Sequence, residues 1–293
     1  MRLLRYIGII FSLYAGIAVA ESPLVVVTIP PIASVAAALL VGVAEPAVLL
    51  KTANSAHQLS LTPQDRVLLG KATYVVWMGP ALESHLVPVI KALPPEKVYT
   101  VLETPKLGLL ESRHLHAQEA TQGLQADPHV WLDPQKMIVI SQQLLARFLA
   151  VYPEHTALLQ HNYLEVVQRL ETLDKDLKQK LSRKLKMWSY HDSLQYLEKA
   201  YRLKAITPLV IHEEMPPPPQ TLATLQKAIK AGKVDCFLQE PEYPAQWQKT
   251  LAPMVVPVYT LDLMGTTLTG PLAEQYFSLM QGVETVLQQC AQK

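Results

Sequence analysis

Net charge and cysteine are both scarce in this sequence. Lys and Arg total 26 against 25 Asp and Glu in 293 residues. Such a balance removes the basic face that a nucleic-acid binder or a membrane-surface module needs. The apolar run Ile7 to Ala18 is shorter than the roughly 20 residues of a membrane-spanning helix. No His-Glu-x-x-His or comparable hydrolase signature is present, and no repeat at the level of residues relates the two halves. The two cysteines, Cys236 and Cys290, lie far from residue 20, so no lipid anchor is expected.

What is present begins with a leader. Arg2 and Arg5 form a charged start, Ile7 to Ala18 an apolar centre, and Ala18-Val19-Ala20 a small-x-small cleavage site before Glu21. Residues 1–20 are therefore expected to be a signal peptide cleaved after Ala20, leaving an exported, soluble protein. An oxidising compartment favours joining Cys236 to Cys290. Closing that loop would stabilise by roughly 4 kcal/mol in the chain-entropy model, and it would pin the last helix to its lobe. Two unpaired buried thiols are the alternative.

The length suggests roughly two domains, and 49% apolar residues can bury a sizeable core. From Pro23 the chain alternates short β-branched runs with Ala- and Leu-rich stretches. Strands are expected at Leu24–Ile29, Ala47–Leu50, Tyr74–Met78 and Val98–Leu102, with helices at Ile32–Val41, from Thr62-Pro63, and at Leu82–Leu93. Thr62 can cap and Pro63 can occupy the first helical position. After Pro134 one helix runs to about Val151. Between Glu154 and Leu185 there is no proline or glycine, and Leu159, Tyr163, Val166, Leu170, Leu173, Leu177 and Leu181 make one stripe. That predicts a spine on the order of 45 Å long. The alternation then restarts with strands Met187–Tyr190, Ala205–Ile211, Asp235–Gln239 and Val255–Leu261, and helices Asp192–Tyr201, Thr221–Ala231 and Leu272–Gln289. The pattern predicts an α/β fold of two βα lobes with parallel sheets, joined by a long rigid helix with a cleft between them. Lobes 21–152 and 186–293 flank the linking helix 153–185.

The stretch Asp127-Pro128-His129-Val130-Trp131-Leu132-Asp133-Pro134 carries the first chemistry. Each proline biases its predecessor away from helix, so the peptide should be stiff and extended and hold one imidazole in place. A lone histidine of this kind is more often a buried one satisfied by a carbonyl. Company elsewhere changes the balance. Ligands bind outside the carboxyl ends of strands in open α/β sheets, and His57, His129, His191 and Asp262 fall at such places, two from each half. Three imidazoles and a carboxylate suit Zn²⁺, with Mn²⁺ or Fe²⁺ as harder alternatives.

Six motifs occur in order: Ser55-Ala56-His57-Gln58-Leu59-Ser60-Leu61-Thr62-Pro63-Gln64-Asp65, Trp77-Met78-Gly79-Pro80, Asp127-Pro128-His129-Val130-Trp131-Leu132, Tyr190-His191-Asp192-Ser193, Gln239-Glu240-Pro241 and Thr260-Leu261-Asp262-Leu263-Met264-Gly265. Together they resemble the periplasmic solute-binding receptors of zinc and manganese ABC importers, the ZnuA-like family, over essentially the whole mature chain. The resemblance implies a single ion held between two lobes by His57, His129 and His191, with Asp262 or water in the fourth position. It also implies delivery to an inner-membrane ABC permease by a monomer that catalyses nothing. A histidine at 191 and the cysteine pair resemble the zinc-type members. Ala56 stands where some relatives have Glu, and Leu263 where a proline is common. The long His- and Asp-rich loop of zinc-type relatives is reduced here to His114 and His116, a weak accessory contact or a plain solvated loop.

Glu240, before a proline at a strand end, is a candidate for orienting an imidazole. Asp192 fits either that neighbourhood or a helix N-terminal charge. His85, His155, His161 and His212 have no partner spacing, and Trp77 and Trp131 should pack in the core or wall the cleft. A secreted zinc hydrolase with Glu240 as base is the competing class, a manganese or ferrous receptor the competing ion, and a surface adhesin is disfavoured by the missing anchor cysteine.

Overall fold

Three consecutive valines, Val25–Val27 (β1), form a strand buried on both faces, as a parallel strand covered by helices requires. The computed structural model describes residues 23–50, 60–113, 126–181, 184–211, 215–241 and 255–292. The leader, His57, His114, His116 and His212 lie outside the described residues. Strand β1 pairs with Ala47–Val48 (β2) and Tyr74–Trp77 (β3), and β3 with Val98–Thr100 (β4), giving a parallel sheet of order β2-β1-β3-β4. The second half repeats the pattern: Met187–His191 (β5), Thr207–Val210 (β6), Cys236–Gln239 (β7) and Val258–Thr260 (β8) make a parallel sheet of order β6-β5-β7-β8. The two sheets thus share one connectivity although their residues do not repeat. Pro208 falls inside β6, which is tolerated because β6 is an edge strand.

Helix Pro30–Leu39 (α1) begins on the proline pair, and all ten of its residues are buried. The prolines thus end β1 and start the helix, where a missing N–H is harmless. The helix Pro63–Lys71 (α2) carries the expected Thr62 cap, reciprocated by Asp65. The single helix expected over 82–93 is instead a 3₁₀ turn, Ser84–Leu86, and one α turn, Val87–Ile90 (α3). Pro88 supplies no amide, so it is accommodated only where a new helix starts. Asp133 caps the helix Pro134–Val151 (α4) through the Gln135 amide at 2.9 Å.

The linking helix runs Thr156–Lys180 (α5), 25 residues or about 37 Å, shorter than the stripe implied because the backbone turns extended at Leu181. Asn162 within it donates to the carbonyls of Leu39 (3.0 Å) and Val41 (2.9 Å), satisfying the orphan acceptors at the end of α1. The second half adds Gln195–Tyr201 (α6), Pro219–Lys230 (α7) and Leu272–Ala291 (α8). Helix α8 packs against α1 and α5, so the C-terminal segment returns to the first sheet's helix. One hydrophobic cluster therefore runs from β1 to α8. A smaller one, with Trp188, Tyr190, Leu209, Val210, Leu225 and Phe237, lies on the second sheet under α7. A disulfide joins Cys236 to Cys290, tying β7 to the end of α8. Among the described residues no helix is long and apolar enough to cross a membrane.

Candidate metal centre

The segment before His129 is tied back to residues 110 and 111. Glu111 and Ala126 form an isolated antiparallel bridge, and the Asp127 amide donates to Leu110 O at 2.8 Å. Pro128 then fixes the chain direction, and the Asp127 side chain folds forward onto its second neighbour. Its Oδ1 accepts the His129 backbone N–H at 2.9 Å and lies 2.8 Å from His129 Nδ1. The stretch expected to be extended is therefore an Asx turn followed by a 3₁₀ turn, Val130–Leu132. Three residues suffice to build the holder and the held ring.

His191 reaches the same place by strand order. It is the last residue of β5, and β7 lies beside β5 in register, Ser189 opposite Leu238. Glu240, one residue beyond β7, therefore arrives next to His191, with Oε2 2.6 Å from His191 Nδ1. Ser193 donates to Glu240 Oε1 at 2.9 Å, so both oxygens of that carboxylate are engaged. His129 and His191 are 6% and 5% exposed, and their Nε2 atoms are 3.4 Å apart. A carboxylate at each Nδ1 places the proton there and leaves each Nε2 lone pair for an incoming cation. Two nitrogens at about 2.05 Å from a tetrahedral Zn²⁺ lie about 3.3 Å apart, close to the spacing found. Trp131 forms the floor, its ring centroid 5.2 Å from that of His129. Its indole N–H donates to Leu263 O at 2.9 Å, and Tyr276 donates to Trp131 O at 2.8 Å.

The family model described as zinc-uptake complex component A, periplasmic (ZnuA) matches residues 25–290. The chain belongs to the ZnuA family. The protein named high-affinity zinc uptake system protein ZnuA from Haemophilus ducreyi is 27% identical over 271 residues, covering 85% of this chain and 87% of that one. Two solved structures share the fold. The periplasmic zinc binding protein TroA from Treponema pallidum has a TM-score of 0.75 at 21% identity, over 91% of this chain and 99% of that one. FpvC from Pseudomonas aeruginosa, in complex with Mn²⁺, has a TM-score of 0.76 at 18% identity, over 92% and 99%.

Within this ZnuA-family chain the candidates fall into three groups. The structure brings His129, His191 and Glu240 together. His57, His114 and His116 lie outside the described residues. Asp262 stands two residues beyond β8, its Oδ1 accepting the amides of Gly265 (2.7 Å), Met264 (3.2 Å) and Thr266 (3.3 Å) and its Oδ2 the Thr267 amide (2.8 Å) and hydroxyl (2.6 Å). Among the described residues no three His, Cys, Asp or Glu side chains are placed so that together they could hold one metal ion; Glu240 faces the far nitrogen of His191. Asp192 is not in the first turn of α6, which starts three residues later; Arg113 binds it instead. His155 lies 3.6 Å from Glu154, and Trp77 packs in the core with its indole N–H on Thr100 Oγ1.

Two partners went unnoticed in the sequence. Asp127 had a local signal, since a carboxylate two residues before a histidine, with proline between, favours such a turn. Arg113 had none, because its partners are 79 and 85 residues away.

Proposed function

We propose that this chain is a periplasmic high-affinity zinc receptor, cleaved after Ala20, that delivers the ion as a monomer to an inner-membrane ABC permease. It catalyses no reaction. His57, His129 and His191 bind Zn²⁺ between lobes 21–152 and 186–293, and the fourth position falls to Asp262 or to water. Asp262 would first have to release amides of its own loop, which makes it the most replaceable of the four. Glu240 and Asp127 orient the imidazoles and are not bases.

The observation that carries this reading is the 3.4 Å separation of the two Nε2 atoms, each ring backed by a carboxylate. Family membership and the zinc named for relatives support it. Neutral imidazole ligands favour zinc over the harder manganese and ferrous ions. The deciding measurement is elemental analysis of protein purified without added metal, followed by zinc–manganese competition on the parent and His129→Ala. The variant should lose zinc affinity by far more than a few-fold; retention within a few-fold of the parent ends the reading. Protons compete for the same nitrogens, so affinity should also fall as pH drops toward about 6.

A further inference from the structure

We propose that Arg113 is a positioning residue for the metal site, clamping Asp192 so that the turn carrying His191 holds its imidazole against His129. The proposal rests on the zinc-receptor reading above.

Arg113 lies two residues after Glu111, which bridges to Ala126 just before the Asp127 turn. Its Nε lies 3.0 and 2.9 Å from the two oxygens of Asp192, and Nη2 also donates to Asp192 Oδ1. The remaining donors reach Glu198 in α6, at 3.1 and 3.2 Å. Only a planar fork serves two carboxylates in this way. The Asp192 side chain is 2% exposed. Burial works against the charged guanidinium, yet the two carboxylates hold its pKa above the ordinary value. Ion pairs in which only the carboxylate is buried contribute little net stability, because desolvation and solvent screening offset the attraction. An arrangement with so little stability to give is better understood by what it places.

What it places is a single turn. Asp192 follows His191 directly, and the Ser193 amide donates to His191 O at 3.1 Å. Ser193 Oγ in turn holds Glu240, whose other oxygen meets His191 Nδ1. Residues 191 to 193 thus carry the imidazole, the handle that Arg113 grips and the hydroxyl that fixes the orienting carboxylate. Any displacement of this turn moves all three.

The grip is reciprocal across the two halves. Gln195 of α6 donates to Asp127 Oδ2 at 3.0 Å, while Asp127 Oδ1 holds His129. Tyr196 donates to Asp127 O at 3.0 Å and accepts the Leu110 amide at 2.9 Å. Each imidazole is therefore supported through a residue that the opposite half holds. Metal–ligand distances tolerate only about 0.2 Å, so small slips between the halves break the site.

The test uses the full mature chain with zinc and cobalt(II) as probes. Parent, Arg113→Ala, Arg113→Gln and His129→Ala are compared for zinc affinity by chelator competition, for release rate, and for the visible spectrum of the cobalt form, which reports tetrahedral geometry. Arg113→Ala should weaken zinc binding by at least about tenfold, mainly through faster release, and dim the tetrahedral cobalt bands. Should Arg113→Ala fail to fold, Arg113→Gln, which keeps two hydrogen bonds without charge, must show the same direction of change. A double-mutant cycle with Asp192→Asn should be strongly non-additive in zinc affinity. Parent-like affinity and cobalt spectrum in the folded arginine variant overturn the proposal while leaving the receptor reading intact. A parent that binds neither ion overturns the receptor reading itself.

Discussion

Glu240 Oε2 lies 2.6 Å from His191 Nδ1, and Asp127 Oδ1 lies 2.8 Å from His129 Nδ1. The two halves of the chain solve one problem in the same way, a carboxylate behind an imidazole, by different local means. One uses a neighbouring strand; the other uses a turn of three consecutive residues. Such partners set the tautomer and raise the basicity of the ligating nitrogen, and losing one typically lowers metal affinity 10- to 100-fold. Glu240→Gln is therefore expected to weaken zinc binding by about 10-fold or more without unfolding the protein. Chelator competition checks this, and an unchanged dissociation constant would show that Glu240 does not act on His191.

Trp131 links distant parts of the fold through two hydrogen bonds. Its indole N–H meets Leu263 O and its carbonyl takes the Tyr276 hydroxyl, at 1% exposure. Trp131→Phe keeps an aromatic ring but leaves Leu263 O without its donor, and an orphaned buried acceptor costs about 1–3 kcal/mol. Urea denaturation should register a loss in that range. A change within about 0.5 kcal/mol, the ordinary scatter of surface substitutions, would mean that the carbonyl finds water instead.

The disulfide carries a separate expectation. Cys236 begins β7 and Cys290 lies in the last turn of α8, 54 residues apart, and α8 is seated on α1. Removing the bridge frees a helix that connects the second sheet to the first half. Cys290→Ser with Cys236→Ser should lower stability by about 2–4 kcal/mol, read as a reduced denaturation midpoint. If both forms unfold at the same urea concentration, packing of α8 alone fixes the C-terminus.

Much of the architecture was legible because parallel sheets leave a strong signature. Runs such as Val25–Val27 and Tyr74–Trp77 are buried on both faces, and the Thr62-Pro63 start behaves as its chemistry dictates. Boundaries were less legible: His191 closes β5 rather than following it, a shift of the size that helix and strand ends commonly show. Pro88 split a helix whose apolar content looked continuous, since composition does not say where a missing amide can be tolerated. The shared 2-1-3-4 strand order of the two sheets was invisible because topology conserves connections, not residues. The sequence singled out His129 and His191, which the fold brings within 3.4 Å of each other, but not Arg113. Contacts made across 79 residues have no period to reveal them.

Glu83 offers a prediction about pH that does not involve the metal. It lies just after the Trp77-Met78-Gly79-Pro80 turn, is 0% exposed, and accepts the Met78 amide on Oε2 at 2.7 Å. Burial pushes its pKa up from 4.5 to about 7, with the backbone hydrogen bonds opposing the rise. Between those values the folded chain keeps a proton that the unfolded chain releases, so this group's contribution to stability falls as pH rises through the window. The accumulated loss above pH 7 is on the order of 3 kcal/mol. Glu83→Gln removes the titration while its amide oxygen can still accept from Met78. Its stability relative to the parent should therefore improve between pH 5 and about pH 7 and level off above that, as measured by urea denaturation at several pH values up to 8. A difference between the two proteins that stays constant over that range would show that Glu83 ionises in the folded state as freely as in the unfolded one.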